Sequence, residues 1–276
     1  MPTGDLVKDY NGQPVMAAGG WAKDKLYYIQ SYCDIFNKGM KNKWSTRTYI
    51  DLFSGPGRCK IEETGEEFDG SPLVALKCRV PFTHYFFNEL NKDSLAALKN
   101  RTSSFTSANI NYFNRDCNEV IDYLLPKLPP KSLDFCFIDP TNWQIKLDSI
   151  RRLAKDRKID LAITFHVGAI KRCADDAPEE LDDFFGDFTW REEYGNMIRS
   201  GRREGSRVLL DAYEKRIRDL GYKKEDIQDW VLVRGPRNIP LYYLIFASKH
   251  SRGKDFWDKI SLKSPSGQIR MPLSEV

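Results

Sequence analysis

The chain has only three histidines, and none of its six cysteines lies in a C-x-x-C or any other close pair. No ligand set with metal-site spacing is therefore expected. No window approaches the ~18 consecutive apolar residues of a membrane helix, so no membrane partner is expected. No signal segment precedes the cysteines, and reduced thiols in a cytoplasmic protein follow, with Cys136 a small core residue inside an apolar run. Charge of one sign is not in excess: 43 Lys and Arg stand against 39 Asp and Glu, a net +4 too small to argue for nucleic acid by itself. There is no internal repeat and no low-complexity tract. What is present, 41% hydrophobic and 13% aromatic residues in 276, supplies a large core. A single domain is expected, with residues 1–47 an N-terminal arm and helix on the core, 48–276 the core, and an insertion at about 170–206.

The stretch from Thr48 to Gly57 organises the rest. Thr48 to Leu52 is a β-branched and apolar run suited to a buried parallel strand, and it runs straight into a turn rich in Gly and Pro. Open α/β sheets hold ligands at the carboxyl ends of their strands. Gly55 and Gly57 lack the Cβ that would hold a ligand away. Asp51 is either a charge fixed beside a ligand or an acceptor for the amides of its own turn.

Residues 1 to 20, with five Gly and Pro between Gly4 and Gly20, read as a loosely held arm. From Trp21, the spacing of Leu26, Ile29, Cys33, Phe36 and Met40 predicts an amphipathic helix, packed over the mouth of the site or over an edge of the sheet. Arg58 to Gly70, with Glu62, Glu63, Glu66, Glu67 and Asp69, reads as an acidic solvated insertion. It delays a helix whose N-cap is Ser71 and whose first residue is Pro72.

Further strands are expected at His84 to Asn88, Ile110 to Phe113, Leu133 to Ile138 and Ile159 to Phe165, with helices between them, one capped by Asn91. Glu89 ends the second strand, where a carboxylate can accept the hydroxyls of a ribose. Asp116 follows the third, placed to reach a base edge. Asp139 ends the fourth and, followed by Pro140, should face the cleft or cap a turn. His166, past the tip of the fifth, is more often a structural histidine than a catalyst. Lys146 to Lys158 reads as a helix with a basic outer face. The acids from Asp175 to Asp187 and the arginines 191, 199, 202, 203 and 207 either pair with one another or form a partner surface. Trp230 to Val233 and Leu241 to Ala247 are joined too closely for a helical crossover, so they must be antiparallel. The fold class is thus α/β, a Rossmann-like three-layer sandwich with a seven-stranded, mostly parallel sheet closed by an antiparallel C-terminal hairpin.

This pattern resembles class I S-adenosylmethionine-dependent methyltransferases. Trp21-Ala22-Lys23-Asp24-Lys25, Asp51 to Gly57, Asp69-Gly70-Ser71-Pro72 and Phe137-Ile138-Asp139-Pro140 together resemble the three-Cys-motif partner family, bacterial proteins encoded beside a protein with a three-cysteine motif. The likeness runs from about Trp21 to Ile260. It implies S-adenosylmethionine as cofactor, with Asp51, Gly55 and Gly57 lining its methionine part, Phe53 and Ser54 in the same turn, Glu89 at the ribose and Asp116 at the adenine. Phe53-Ser54-Gly55-Pro56-Gly57 has the Phe-x-Gly-x-Gly form of base methyltransferases. Asp139-Pro140-Thr141-Asn142-Trp143 approximates the Asp-Pro-Pro-aromatic motif of amino methyltransferases, lacking the second Pro and with the aromatic displaced by one. Asp139, Pro140 and Trp143 are the implied catalytic set, holding, orienting and stacking on the methyl acceptor; no metal is implied. Without a Pro-Cys dipeptide, cytosine C5 chemistry has no nucleophile. The expected function is methyl transfer to a nitrogen or oxygen, with the three-cysteine-motif protein as partner and nucleic acid permitted by the basic stretches. The alternative is a non-catalytic module of the same fold that docks that partner. Nicotinamide chemistry fits poorly, since the turn lacks a third, helix-packing glycine.

Overall fold

The computed structural model describes residues 5–201, 205–223, 227–265 and 267, with the side chains of 228–230 left aside. Arg202 and Arg203 of the arginine block lie outside the described residues.

The first departure from expectation is at the N-terminus. Strands β1 (Leu6–Lys8) and β2 (Pro14–Ala18) pair as an antiparallel hairpin. After α1 (Ala22–Met40) and β3 (Arg47–Asp51), the acidic stretch forms a second hairpin, β4 (Arg58–Ile61) and β5 (Glu67–Asp69). Strand β2 then pairs in parallel with β4, giving a small four-stranded sheet ordered β1-β2-β4-β5. The arm is therefore not loose, and the insertion is not merely solvated. Helix α2 (Ser71–Leu76) has Gly70, not Ser71, as N-cap. The Ser71 hydroxyl is spent on the Asp51 carboxylate instead.

The remaining elements are β6 (His84–Asn88), α3 (Lys92–Thr102), β7 (Ile110–Phe113), α4 (Val120–Leu124), β8 (Leu133–Ile138), α5 (Leu147–Ala154), β9 (Lys158–Phe165), α6 (Val167–Asp176), α7 (Asp182–Phe185), α8 (Thr189–Arg199), α9 (Gly205–Arg218), β10 (Ile227–Arg234), β11 (Pro240–Ala247) and α10 (Ser251–Ser261). The Asn91 side chain caps α3 by accepting from the Ser94 amide at 2.9 Å. Helix α5 is shorter than its basic pattern suggested: Asp156, at φ 56°, turns the chain, and Lys158 already belongs to β9.

Seven strands form the main sheet in the order β10-β11-β9-β8-β3-β6-β7. β3, β6, β7, β8 and β9 are parallel, and β11 is antiparallel to β9 and β10 on either side. Strand alternation divides the core. Ile50, Phe86, Cys136, Ile138, Ile163 and Ile245 meet α4, α5, α6 and α9 on one face. Tyr49, Phe87, Phe135, Phe137, Leu244 and Phe246 meet α1, α2, α3 and α10 on the other. These are the three layers expected of near-continuous apolar strands covered on both faces.

One polar group is buried deep in the second face. Asp160 of β9 accepts the Tyr32 hydroxyl at 2.6 Å and a hydrogen bond from Ser248. Burial pushes its carboxyl up from 3.8 to about 6 despite those bonds. The folded state thus holds this proton more tightly than the unfolded chain, and stability is lost as pH rises from about 4 through about 6. Two units correspond to on the order of 2–3 kcal/mol. Asp160→Asn should flatten that dependence in urea denaturation at pH 5 and pH 7.5. A residual slope of the same sign is expected from Asp51, and an unchanged slope would refute the assignment to Asp160.

Candidate active site

The parallel strands deliver their carboxyl ends to one edge of the sheet, and there the four-stranded sheet and the start of α1 close over them. The result is a cavity of about 400 Å³, walled by residues 16–19 of the arm, Trp21 just before α1, Lys25 of α1, residues 53–59, Asp139 to Asn142, His166, Arg172 and residues 239–242. The volume lies in the range of small-molecule sites, ~300–1,000 Å³.

The glycine turn is held by its neighbours. Asp51 is fully buried. One of its oxygens accepts the Phe53 amide at 3.1 Å and the other the Tyr49 hydroxyl at 3.3 Å. Burial pushes its carboxyl up to about 7, with the Ser71 hydroxyl and the Phe53 amide opposing. Asp51 therefore lies beneath the turn and shapes it, the second of its two sequence readings. Gly55 and Gly57 have φ of +59° and +83°, which L side chains rarely adopt. A Cβ on Gly57 would lie 2.8 Å from Leu98 Cδ1. The Ser54 amide donates to the Asn88 carbonyl at 2.9 Å, and the Asn88 side chain donates to the carbonyls of Leu52 and Arg115, so three strand tips are tied together.

The sequence-predicted residues divide into three groups. Phe53, Ser54, Gly55, Gly57, Asp139 and Pro140 line the cavity. Asp51 lies under its floor. Glu89, Asp116 and Trp143 do not line it. One Glu89 oxygen accepts the Gly55 amide at 2.8 Å and the other the Asn91 amide at 2.7 Å. Burial raises the Glu89 carboxyl, and these amides work against that rise. Asp116 accepts the Asn118 amide at 2.8 Å, and Trp143 packs half-buried against the core of the α5 face.

Asp139 is placed by β8 and held from α1. Lys25 Nζ donates to its Oδ2 at 2.5 Å, with side-chain exposures of 12% and 22%. Asp139 Oδ1 is buried and has no partner among the described residues. The same is true of His166 Nε2. Burial lowers the His166 basicity; Asp139 opposes that fall, Lys25 adds to it, and a hydrogen bond to the Pro140 backbone opposes it. Tyr242 completes the group: its ring centroid lies 5.7 Å from that of His166 and 5.1 Å from Lys25 Nζ, and its hydroxyl donates to the Trp21 carbonyl at 3.2 Å. Buried polar atoms are normally paired, so two orphan acceptors in one cavity mark where a hydrogen-bond donor from outside can bind.

Sequence reasoning gave no role to Lys25 or Tyr242. Lys25 stood in the Trp21 to Lys25 block, a visible signal. Tyr242 was hidden in an apolar run; it reaches the site because β11 is antiparallel, so its first residues lie beside the end of β9, with Tyr243 opposite Phe165.

The charged blocks mostly satisfy themselves. Arg157 pairs with Asp134 at 2.7 Å, Arg151 with Asp148 at 3.0 Å, and Arg152 with Asp122. Arg191 pairs with Asp182, Arg216 with Asp187 and Glu193, and Lys171 with Asp175. Among the described residues no helix is long and apolar enough to cross a membrane, and no group of three or more His, Cys, Asp or Glu could hold a metal ion.

No family model and no curated protein matches the sequence. Among solved structures, protein LPL1258 of Legionella pneumophila str. Philadelphia 1 is similar at TM-score 0.56 and 12% identity, over 93% of this chain and 99% of that one. M. jannaschii TYW2 in complex with AdoMet gives 0.43 at 14% identity, over 90% and 86%. The N-terminal domain of human METTL16 in complex with SAH gives 0.46 at 11%, over 89% and 76%. At such identities the likeness concerns the fold. With its mostly parallel seven-stranded sheet, antiparallel β11 and helices on both faces, the chain has a Rossmann-like three-layer α/β fold, with a ligand-sized cavity at the strand ends.

Proposed function

We propose that the protein transfers a methyl group from S-adenosylmethionine to a nitrogen or oxygen of an acceptor bound in this cavity. One observation carries the reading: the buried Asp139 Oδ1 just past β8, without a partner among the described residues, in a cavity that also contains the glycine turn. The residues present fit the cofactor. Gly55 faces open space, where an added Cβ would find only Met16 Cε, at 3.7 Å. Residues 53–57 and Asp139 surround a volume suited to the methionine half. Glu89 and Asp116 stand at the tips of the neighbouring strands for the ribose and adenine, and a carboxylate with two amides bound retains further lone pairs for hydroxyls.

When bound, S-adenosylmethionine supplies a methyl group already made electrophilic by the sulfonium. The chain's own work is alignment and proton handling. Asp139 Oδ1 accepts a hydrogen bond from the acceptor group and fixes its direction. Lys25 holds the other oxygen and neutralises the carboxylate. The Pro140 backbone sets the position of the loop, and Tyr242, with Trp21 and Phe53, offers apolar ring surface in the place that sequence reasoning gave to Trp143.

Membership of the three-Cys-motif partner family, action with that partner protein, and a bacterial cytoplasmic setting belong to this proposal, supported by the four sequence blocks that carry the resemblance. A second reading, a non-catalytic docking module, is favoured by Glu89 and Asp116, neither of which lines the cavity. Calorimetry with S-adenosylmethionine separates them. Saturable one-site binding, together with labelled-methyl transfer to nucleic acid, cell extract or the neighbouring partner, is the expected result; a flat titration would remove the first reading.

A further inference from the structure

We infer that His166 is the proton acceptor of this site, taking through Nε2 the proton that the acceptor group must lose on methylation. This rests on the methyltransferase reading and assigns a chemical step to a residue outside its expected set. The argument is geometric. His166 stands just past β9, at the N-terminus of α6, and lines the same cavity as Asp139. Its Nε2 is buried and has no partner among the described residues, whereas the ring also hydrogen-bonds the Pro140 backbone. With Nε2 unpartnered, that bond falls to Nδ1, which leaves the lone pair on Nε2 and fixes the tautomer.

Burial is what disfavours a charged ring and leaves it ready to accept. The other titratable groups facing the cavity from each surrounding element are Asp139 after β8, Lys25 on α1, Tyr242 on β11, Arg172 on α6, and Arg58 and Cys59 on β4. Lys25 adds to the effect of burial, whereas Asp139 and the bond to the Pro140 backbone oppose it. Asp139 is itself bound to Lys25 through Oδ2, and its other oxygen is suited to orienting. One buried acceptor therefore directs the group and the second removes its proton. In the step, the acceptor's lone pair forms a bond to the methyl carbon, the carbon–sulfur bond breaks with its electron pair remaining on sulfur, and the proton of the methylated group passes to His166 Nε2. The imidazolium then returns that proton to solvent after product leaves.

The acceptor chemistry follows. It must present at least one N–H or O–H to Asp139 Oδ1 and one to Nε2, as a primary amino group does; a tertiary amine or a thioether has nothing to donate. The test uses the full chain with labelled-methyl S-adenosylmethionine and three acceptor pools: total RNA, sheared genomic DNA and extracted protein. His166→Gln should lower transfer by about 100-fold or more, in line with general-base contributions, while cofactor affinity by calorimetry stays within about twofold of wild type, as expected where the base makes no cofactor contact. The wild-type rate should fall with an acid limb below the histidine range, and His166→Ala should recover activity with added imidazole, following imidazole's own titration. Transfer by His166→Gln within about threefold of wild type, well short of a general-base loss, would overturn this inference and leave the methyltransferase reading standing. Failure of imidazole to restore His166→Ala, with cofactor binding intact, would do the same. Absence of binding or transfer by wild type would overturn both. Should the variants fail to fold, NMR of the wild-type ring decides: a neutral imidazole at pH 7 with an unprotonated Nε2 is expected, and a charged ring or a protonated Nε2 overturns the assignment.

Discussion

Asp139→Ala is expected to lower methyl transfer by about a thousandfold, the upper end of what one preorganised hydrogen-bonding group contributes. Affinity for S-adenosylmethionine should change by no more than about twofold, since an interaction made only as the reaction proceeds does not appear in ground-state binding. The split follows from where the two carboxylate oxygens go. Oδ2 is committed to Lys25 at 2.5 Å, and Oδ1 has no partner among the described residues. Asp139→Asn is the companion variant. It keeps the shape and places an amide beside Lys25, and it should retain less than about a tenth of the wild-type rate because a weaker acceptor replaces a charged one. Labelled-methyl transfer and calorimetry on the same preparation check both. If transfer and cofactor affinity are lost together, Asp139 is a structural residue that anchors α1 through Lys25, and the catalytic role falls.

How much of this was legible before the structure depended on how local the signal was. His84 to Asn88, Ile110 to Phe113 and Leu133 to Ile138 coincide with β6, β7 and β8 because a short, largely apolar run between polar turns carries its own boundaries. Asn91 was readable as a cap for the same reason. Residues 14–18 were not readable as a strand, because beyond the three-residue β1 their partner is β4, some forty residues on, and nothing in Pro14-Val15-Met16-Ala17-Ala18 alone announces that pairing. The candidate site divides in the same way. Asp139 follows a strand and precedes a proline, so its place could be read. Lys25 and Tyr242 reach the cavity only through the packing of α1 and the reversal of β11, which are long-range facts. Asp51 shows the opposite limit: its position was legible, but whether its oxygens would face a ligand or the turn depended on Ser71 and Tyr49.

The arm that sequence reasoning left loose is also the site of the largest expected effect on stability. Arg101 of α3 reaches across to it: its guanidinium donates to the Pro14 carbonyl at 2.6 Å, to the Pro56 carbonyl at 2.7 Å and to the Asp9 carboxylate at 2.8 Å. The two charged side chains are only 9% and 6% exposed. One group thus ties β1–β2, the glycine turn and α3 together. Arg101→Ala leaves Asp9 without its cation and two carbonyls without donors, and should cost about 3–5 kcal/mol, as breaking a buried pair from one side does. Arg101→Lys should recover only part, because an ammonium cannot reproduce the planar fork. Burial raises the Asp9 carboxyl, but the amides of Gln13 and Asn11 and the Arg101 guanidinium outweigh it, and the net direction is down. Stabilisation from this carboxylate is therefore present above its unfolded value of about 3.9 and lost as pH falls through its folded one, so the gap between wild type and Arg101→Ala should narrow below about pH 4. Urea denaturation across pH measures the gap, and limited proteolysis should show new cleavage within residues 5–20. Because residues 16–19 wall the cavity, S-adenosylmethionine affinity should fall with the arm's release. An Arg101→Ala chain with wild-type stability and an uncleaved arm would mean that the β2–β4 pairing alone holds the wall in place.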